Sequence, residues 1–239
     1  MQSNSLFRKW SAALLVCGAA FVLGAHAQSD PGLEHILDVM DKTAANFRSA
    51  EADLVVELYT SAVHETDKQT GKVYFRRQGS DLQMGLDMSD PKAPKYVLLS
   101  GGKLQLFEPT LDRVTVYDVS KNQDEYEAFL RLGFGGGGHA MQKSFELKYM
   151  GSEKVAGNDA AKLDMVPKNP KVLNMFPHIV LWIDPARGVA VQQQLFEQGG
   201  EDYRLSKYSD IQLNHKMSDS VFKLKTDGKT TFRSVSPHD

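Results

Sequence analysis

Past residue 27 this chain has no cysteine; its single one, Cys17, lies inside an apolar N-terminal run. A disulfide framework and thiol chemistry are therefore excluded for the remainder, which must hold together by core packing alone. No second apolar run approaches the ~20 residues a membrane-spanning helix needs. Charge blocks are also missing. Removing residues 1–27 takes away Arg8 and Lys9 and no acid, which moves the formal net charge from −2 to −4. Without a basic patch, nucleic acid is not a partner, and sustained attraction to anionic lipid heads is not expected. The histidines are scattered, with no two lying three to five residues apart. His64-Glu65 opens like H-E-x-x-H, but Lys68 holds the last position. No metal site and no cofactor are expected. There is no G-x-S-x-G elbow, and Ser100 stands in a hairpin context. The run Gly135–Gly138 is followed by His139-Ala140 where a phosphate-cradling loop needs Lys-Ser/Thr. It reads as a flexible hinge. Lacking a nucleophile motif or a metal cluster, the chain is not expected to be an enzyme.

What is present begins with the leader. Arg8-Lys9 is a basic head, Trp10–Gly24 is apolar with small residues mixed in, and Ala25-His26-Ala27 has the small-x-small pattern that a signal peptidase cuts. Residues 1–27 are expected to be a cleaved secretory signal peptide. That leaves 28–239 as a single domain expected to act outside the cytoplasm.

Asp30-Pro31 then starts a helix, the first as cap and the second at the first helical position. Leu33, Ile36, Leu37, Met40, Ala44 and Phe47 recur at helical spacing. From Ala52 the period becomes two. Leu54, Val56 and Leu58 share one face of a strand, Asp67–Gly71 reads as a turn, and Lys72–Arg77 reads as a second strand. Leu82, Met84, Leu86 and Met88 alternate with Asp81, Gln83 and Asp87. Further strands are expected at 96–99, 103–107, 113–119, 144–150, 161–166, 179–184, 189–197, 203–213 and 221–225. A short helix is expected from Asn122 to Leu132, and a loose tail from Ser234. Short strands at this spacing indicate an antiparallel sheet or barrel and not βαβ units.

Three stretches carry a resemblance. Tyr96–Pro109 runs from an apolar strand through Ser100-Gly101-Gly102-Lys103 into a strand ending Phe107-Glu108-Pro109. Lys72–Met88 forms two strands around Arg76-Arg77, with Gln78 next. Asp219-Ser220-Val221-Phe222 stands near the end. In this order they resemble the periplasmic outer-membrane lipoprotein carriers, the LolA-like family. There the hairpin has Asp in place of Gly101 and the basic pair precedes Pro in place of Gln78. The Gly-rich loop at 133–138 is not part of that pattern.

The resemblance implies a mainly β (α+β) fold, an incomplete antiparallel β-barrel whose open mouth is covered by helices over an apolar cavity. It implies a monomeric carrier that shields the acyl chains of lipoproteins. Such a carrier receives them from an inner-membrane ABC-type exporter and gives them to an outer-membrane receptor. A 16-carbon chain left in water costs on the order of 12 kcal/mol, at about 0.8 per CH₂, so hiding it is the whole task. On this reading Leu54, Val56, Leu58, Leu82, Met84, Leu86 and Met88 line the sheet side. Leu33, Ile36, Leu37, Met40 and Phe47 form the helix side, and Arg77 holds the lid backbone in the closed state. The alternatives are a periplasmic sensor of the same half-barrel fold, or a phospholipid-binding envelope protein. An enzyme acting on lipid is a third class.

Overall fold

The computed structural model describes residues 30–79, 81–88, 90, 93–120 and 132–235. The signal peptide and the helix expected from Asn122 lie outside the described residues, apart from Leu132. Helix α1 spans Pro31–Asn46. Asp30 Oδ1 accepts the Gly32 and Leu33 N–H groups at 2.8 and 3.4 Å, satisfying two of the donors that a helix start leaves open. The strands follow as β1 (Ser49–Thr60), β2 (Glu65–Gln78), β3 (Asp81–Met88), β4 (Lys95–Ser100), β5 (Lys103–Glu108) and β6 (Arg113–Asp118). Helix α2 (Gly138–Ser144) leads into β7 (Phe145–Val155) and β8 (Asn158–Pro167). After these come α3 (Pro170–Met175), β9 (His178–Asp184), β10 (Val189–Phe196), β11 (Tyr203–Leu213) and β12 (Thr231–Val235).

All twelve strands form one sheet in the order β12-β6-β5-β4-β3-β2-β1-β11-β10-β9-β8-β7. Every pairing is antiparallel except β12 with β6. The end strands β7 and β12 do not meet, so the sheet is an open half-barrel. Register shifts at Glu51/Asp53, Tyr149/Ser152 and Ala190/Gln192 mark irregularities of the kind that bend a strand. The two meanders, β1–β6 and β7–β11, are joined along β1 and β11, where Leu54 faces Tyr208.

Helix α1 lies across one face of this sheet. Its C-terminal end is pinned by Asn214, whose Oδ1 accepts the Arg48 N–H at 2.7 Å and whose Nδ2 donates to the Asn46 carbonyl at 3.1 Å. Thr43 Oγ1 donates to the Arg187 carbonyl in the β9–β10 turn at 2.7 Å. The main core gathers Leu37 and Met40 with Phe75, Met84, Leu99, Leu163, Leu181 and Ile183.

Three expectations are corrected. Asp67–Gly71 is not a turn but part of β2, with Asp67 opposite Leu58 and Gly71 opposite Leu54. This end of the hairpin projects into solvent, so its polar residues need no burial. Gly71 is there for proximity: a Cβ on it would stand 2.1 Å from the Asp87 carbonyl oxygen on β3. Residues 221–225 are not a strand. Asp219–Phe222 is a 3₁₀ turn capped by Ser218, and the segment lies against β3 with Phe222 buried. Arg76 sits 4.3 Å over the Phe222 ring and bonds Asp219 Oδ1 at 2.5 Å. Finally, the expected tail begins inside a strand, since Ser234 and Val235 pair with Val116 and Tyr117.

Candidate functional site: the apolar face beneath helix α1

Strand register places Leu54, Val73, Leu86 and Val97 on one face, together with Phe75, Met84, Leu99 and Leu104. This is the face that α1 covers. From the helix come Leu33, Ile36, Leu37 and Met40, all buried, with Phe47 just after its end. Leu54, Leu82, Met84 and Met88 are buried on the sheet side, while Val56 and Leu86 are half-buried against the same cluster. Leu58 stands apart. It is half-buried at the projecting end of β1, between Asp67 and Arg204, and does not join the core.

Arg77 belongs to this same inner face, opposite Leu82. Its Nη2 donates to the Gly135 carbonyl at 3.3 Å. Arg76, one residue earlier, points to the other side and holds the 219–222 turn.

The segment Leu132–Gly138 reads as a hinge in the sequence, and the structure instead packs it beneath α1. Phe134 is 1% exposed. Its ring stacks on Phe75 at 4.9 Å and meets Tyr208 edge-on at 5.0 Å. Gly133 and Gly135 have φ of +82° and +70°, a region that costs other residues about 1–2 kcal/mol. A Cβ at Gly133 would lie 2.1 Å from Ala190 Cβ, and one at Gly135 would lie 2.5 Å from the Phe47 ring. The glycines are thus the condition for close passage. Tyr208 donates its hydroxyl proton to Gln193 Oε1 at 3.1 Å, and desolvation pushes the phenol up to about 12.

Where this segment enters α2, a polar clasp closes over it. His139 Nδ1 lies 2.5 Å from Asp41 Oδ2, and its Nε2 lies 3.1 Å from Glu34 Oε2, both on α1. The His139 N–H also donates to Asp41 Oδ1 at 3.3 Å. The bond to Asp41, then that to Glu34, raises the imidazole above its ordinary value. Sequence reasoning missed Phe134, His139 and Tyr208. The available signal was an aromatic residue bracketed by glycines in Gly133-Phe134-Gly135.

A groove of about 1030 Å³ borders β8, β10 and β11. Most of its charges are paired: Lys154–Asp159 at 3.0 Å, Arg187–Asp184 at 2.6 Å and Lys207–Glu57 at 2.8 Å. The apolar face beneath α1 is the better candidate, because there a large apolar surface is closed by one helix and one insert. Among the described residues no group of three or more His, Cys, Asp or Glu could hold a metal ion. No helix among them is long and apolar enough to cross a membrane.

No protein-family model and no curated protein matches the sequence. Solved structures do match. An uncharacterized conserved protein from Thermus thermophilus is 12% identical and superposes with a TM-score of 0.53, over 85% of this chain and 98% of that one. MucB is 14% identical, with a TM-score of 0.52 over 82% of this chain. This chain spans 64% of the length of MucB. The LolA superfamily protein NE2245 from Nitrosomonas europaea is 13% identical over 80% of this chain and 97% of that one, with a TM-score of 0.40. At such identities a likeness speaks for fold alone. With an open antiparallel half-barrel, an apolar inner face and a helix laid across it, the chain shares the fold of the Thermus protein and of MucB.

Proposed function

We propose that the protein is a periplasmic carrier that shields the acyl chains of lipoproteins between the inner and outer membranes. One observation carries the reading. The apolar inner face of the sheet is covered by α1 and the 132–138 segment, whose edges are fastened by polar bonds, namely Arg77 to Gly135 and His139 to Asp41 and Glu34. Closed, Leu33, Ile36, Leu37, Met40 and Phe47 pack on Leu54, Val56, Leu82, Met84, Leu86 and Met88. Opened, both surfaces pack on lipid. The same apolar area is satisfied either way, so loading and release need no nucleotide at this protein. Breaking exposed polar pairs costs little, about 1 kcal/mol or less each. On this reading an ABC-type exporter in the inner membrane supplies the cargo and an outer-membrane receptor takes it. The protein acts alone, as a binder and not an enzyme.

The test is transfer. The mature protein is incubated with inner-membrane vesicles carrying a radiolabelled triacylated lipoprotein, then with vesicles bearing the receptor. The expected result is a soluble one-to-one complex that is emptied by the receptor. No soluble complex would refute the proposal. Retention of phospholipid in its place, shown by mass spectrometry of what co-purifies from the envelope, would favour a phospholipid-binding role.

A further inference from the structure

We propose that Phe134 is a built-in occupant of the acyl site: in the empty protein its ring fills the subsite between Phe75 and Tyr208, and cargo enters by exchange with it. The proposal rests on the carrier reading and adds the position that the chain takes. Most large, fully buried side chains in this core come from helix or strand backbone. Leu37 and Met40 belong to α1, and Leu163, Met165, Ile179, Leu181, Ile183 and Val189 belong to strands. Phe134 and its neighbour Leu132 are themselves in a turn, outside any described strand or helix.

Withdrawing any strand residue would mean undoing paired strands. Withdrawing Phe134 requires the loss of far less. Among the described residues, two backbone contacts hold its stalk: the Gly133 carbonyl accepts the Ala190 N–H at 2.9 Å, and the Gly135 carbonyl accepts Arg77 Nη2 at 3.3 Å. Gly135–Gly138 follow directly, and glycine regains more backbone freedom on release than any other residue. The seat left behind suits an acyl chain. Phe75 offers a ring face, Tyr208 a second ring with its hydroxyl already bonded to Gln193, and Phe47 and Ala190 flank the neighbouring Gly135 and Gly133. Buried apolar surface is kept in both states, because a hydrocarbon replaces a ring.

The experiment titrates the mature protein with a dansyl-labelled long-chain fatty acid, comparing wild type with Phe134→Ala and Phe134→Leu. With the seat vacant, Phe134→Ala should bind the probe roughly tenfold tighter or more, although its own melting point falls. Phe134→Leu keeps apolar volume but loses the ring stack, and should gain affinity by a smaller factor. It serves in place of Phe134→Ala if that variant does not fold. In the wild type, probe binding should speed amide hydrogen exchange across 132–136. Equal or weaker binding by the variants, or increased protection of 132–136 in the loaded wild type, would overturn the exchange and show Phe134 to be ordinary core. If neither wild type nor variants bind the probe, the carrier reading falls with it.

Discussion

A carboxylate placed on the inner face distinguishes a cargo wall from a closed core, and two neighbouring positions make the comparison internal. Leu86 and Met84 point to the same side of β3, Leu86 opposite Val73 and Val97 and Met84 opposite Phe75 and Leu99. Leu86 is half-buried, whereas Met84 is 6% exposed. Leu86→Asp gives up about half of the ~1.5–3 kcal/mol that full burial of a leucine contributes. Its carboxylate keeps some water or takes up a proton, at about 1.4 kcal/mol per pKa unit. The sum is about 2–3 kcal/mol, less than a typical domain's 5–15 kcal/mol. Met84→Asp loses a whole side chain's burial and has no water to turn to, so it should cost about 4 kcal/mol or more. Denaturant melts should therefore show Leu86→Asp folded and Met84→Asp close to unfolding. Acyl titration of Leu86→Asp at neutral pH should show binding lost. Burial raises the folded-state pKa of the new Asp, so its penalty is absent below about pH 3.9 and grows as pH rises. Equal melts for the two variants, or normal binding by Leu86→Asp, would refute this account of the face.

His139 supplies a pH dependence. Its folded-state pKa is raised above 6.5 by Asp41 and Glu34, so its contribution is whole below about pH 6.5 and fades as pH rises through the raised value. The stability difference between wild type and His139→Gln, followed by thermal melts, should be largest in mild acid, about 1 kcal/mol or less for an exposed cluster, and should vanish in alkaline buffer. Gly71→Val should cost about 1–3 kcal/mol by overpacking against the Asp87 carbonyl, despite the better strand propensity of Val; a neutral effect in denaturant melts would restore the turn reading. Arg77→Leu removes the donor to Gly135 and should speed cargo uptake in stopped-flow while lowering the melting point by a few degrees; unchanged uptake would remove Arg77 from the closing device. N-terminal sequencing of the envelope-fraction protein should begin at Gln28, and a membrane-bound form beginning at Met1 would contradict the leader reading.

The legible parts of the fold share one property: a physical cause repeated at regular spacing. Asp30-Pro31 with Leu33, Ile36, Leu37 and Met40 announces α1, because cap and stripe coincide. Leu82, Met84, Leu86 and Met88 announce β3 and its inner face. What escaped has no period. Phe134 is a single inserted ring, and its depth depends on Phe75 and Tyr208 from two separate strands. Asp67–Gly71 looks like a turn because polar residues in a solvent-projecting hairpin carry no alternation. Val221-Phe222 is apolar for the sake of one contact, with Phe222 under Arg76, and not as half of a strand pattern. The clasp of His139 to Glu34 and Asp41 joins residues about a hundred positions apart, and nothing local to any of them signals the others.

The seam between β1 and β11 has a consequence for the chain's biogenesis. Leu54 pairs with Tyr208 and Ala50 with Leu213, so β1 emerges from synthesis long before its second neighbour exists. Until then a twelve-residue strand presents an unpaired edge, and edges of that kind recruit other chains. Long-range pairing is also slow to form. The half-barrel can be completed only after most of the polypeptide has been made. The interval before completion is when the chain is most exposed to aggregation.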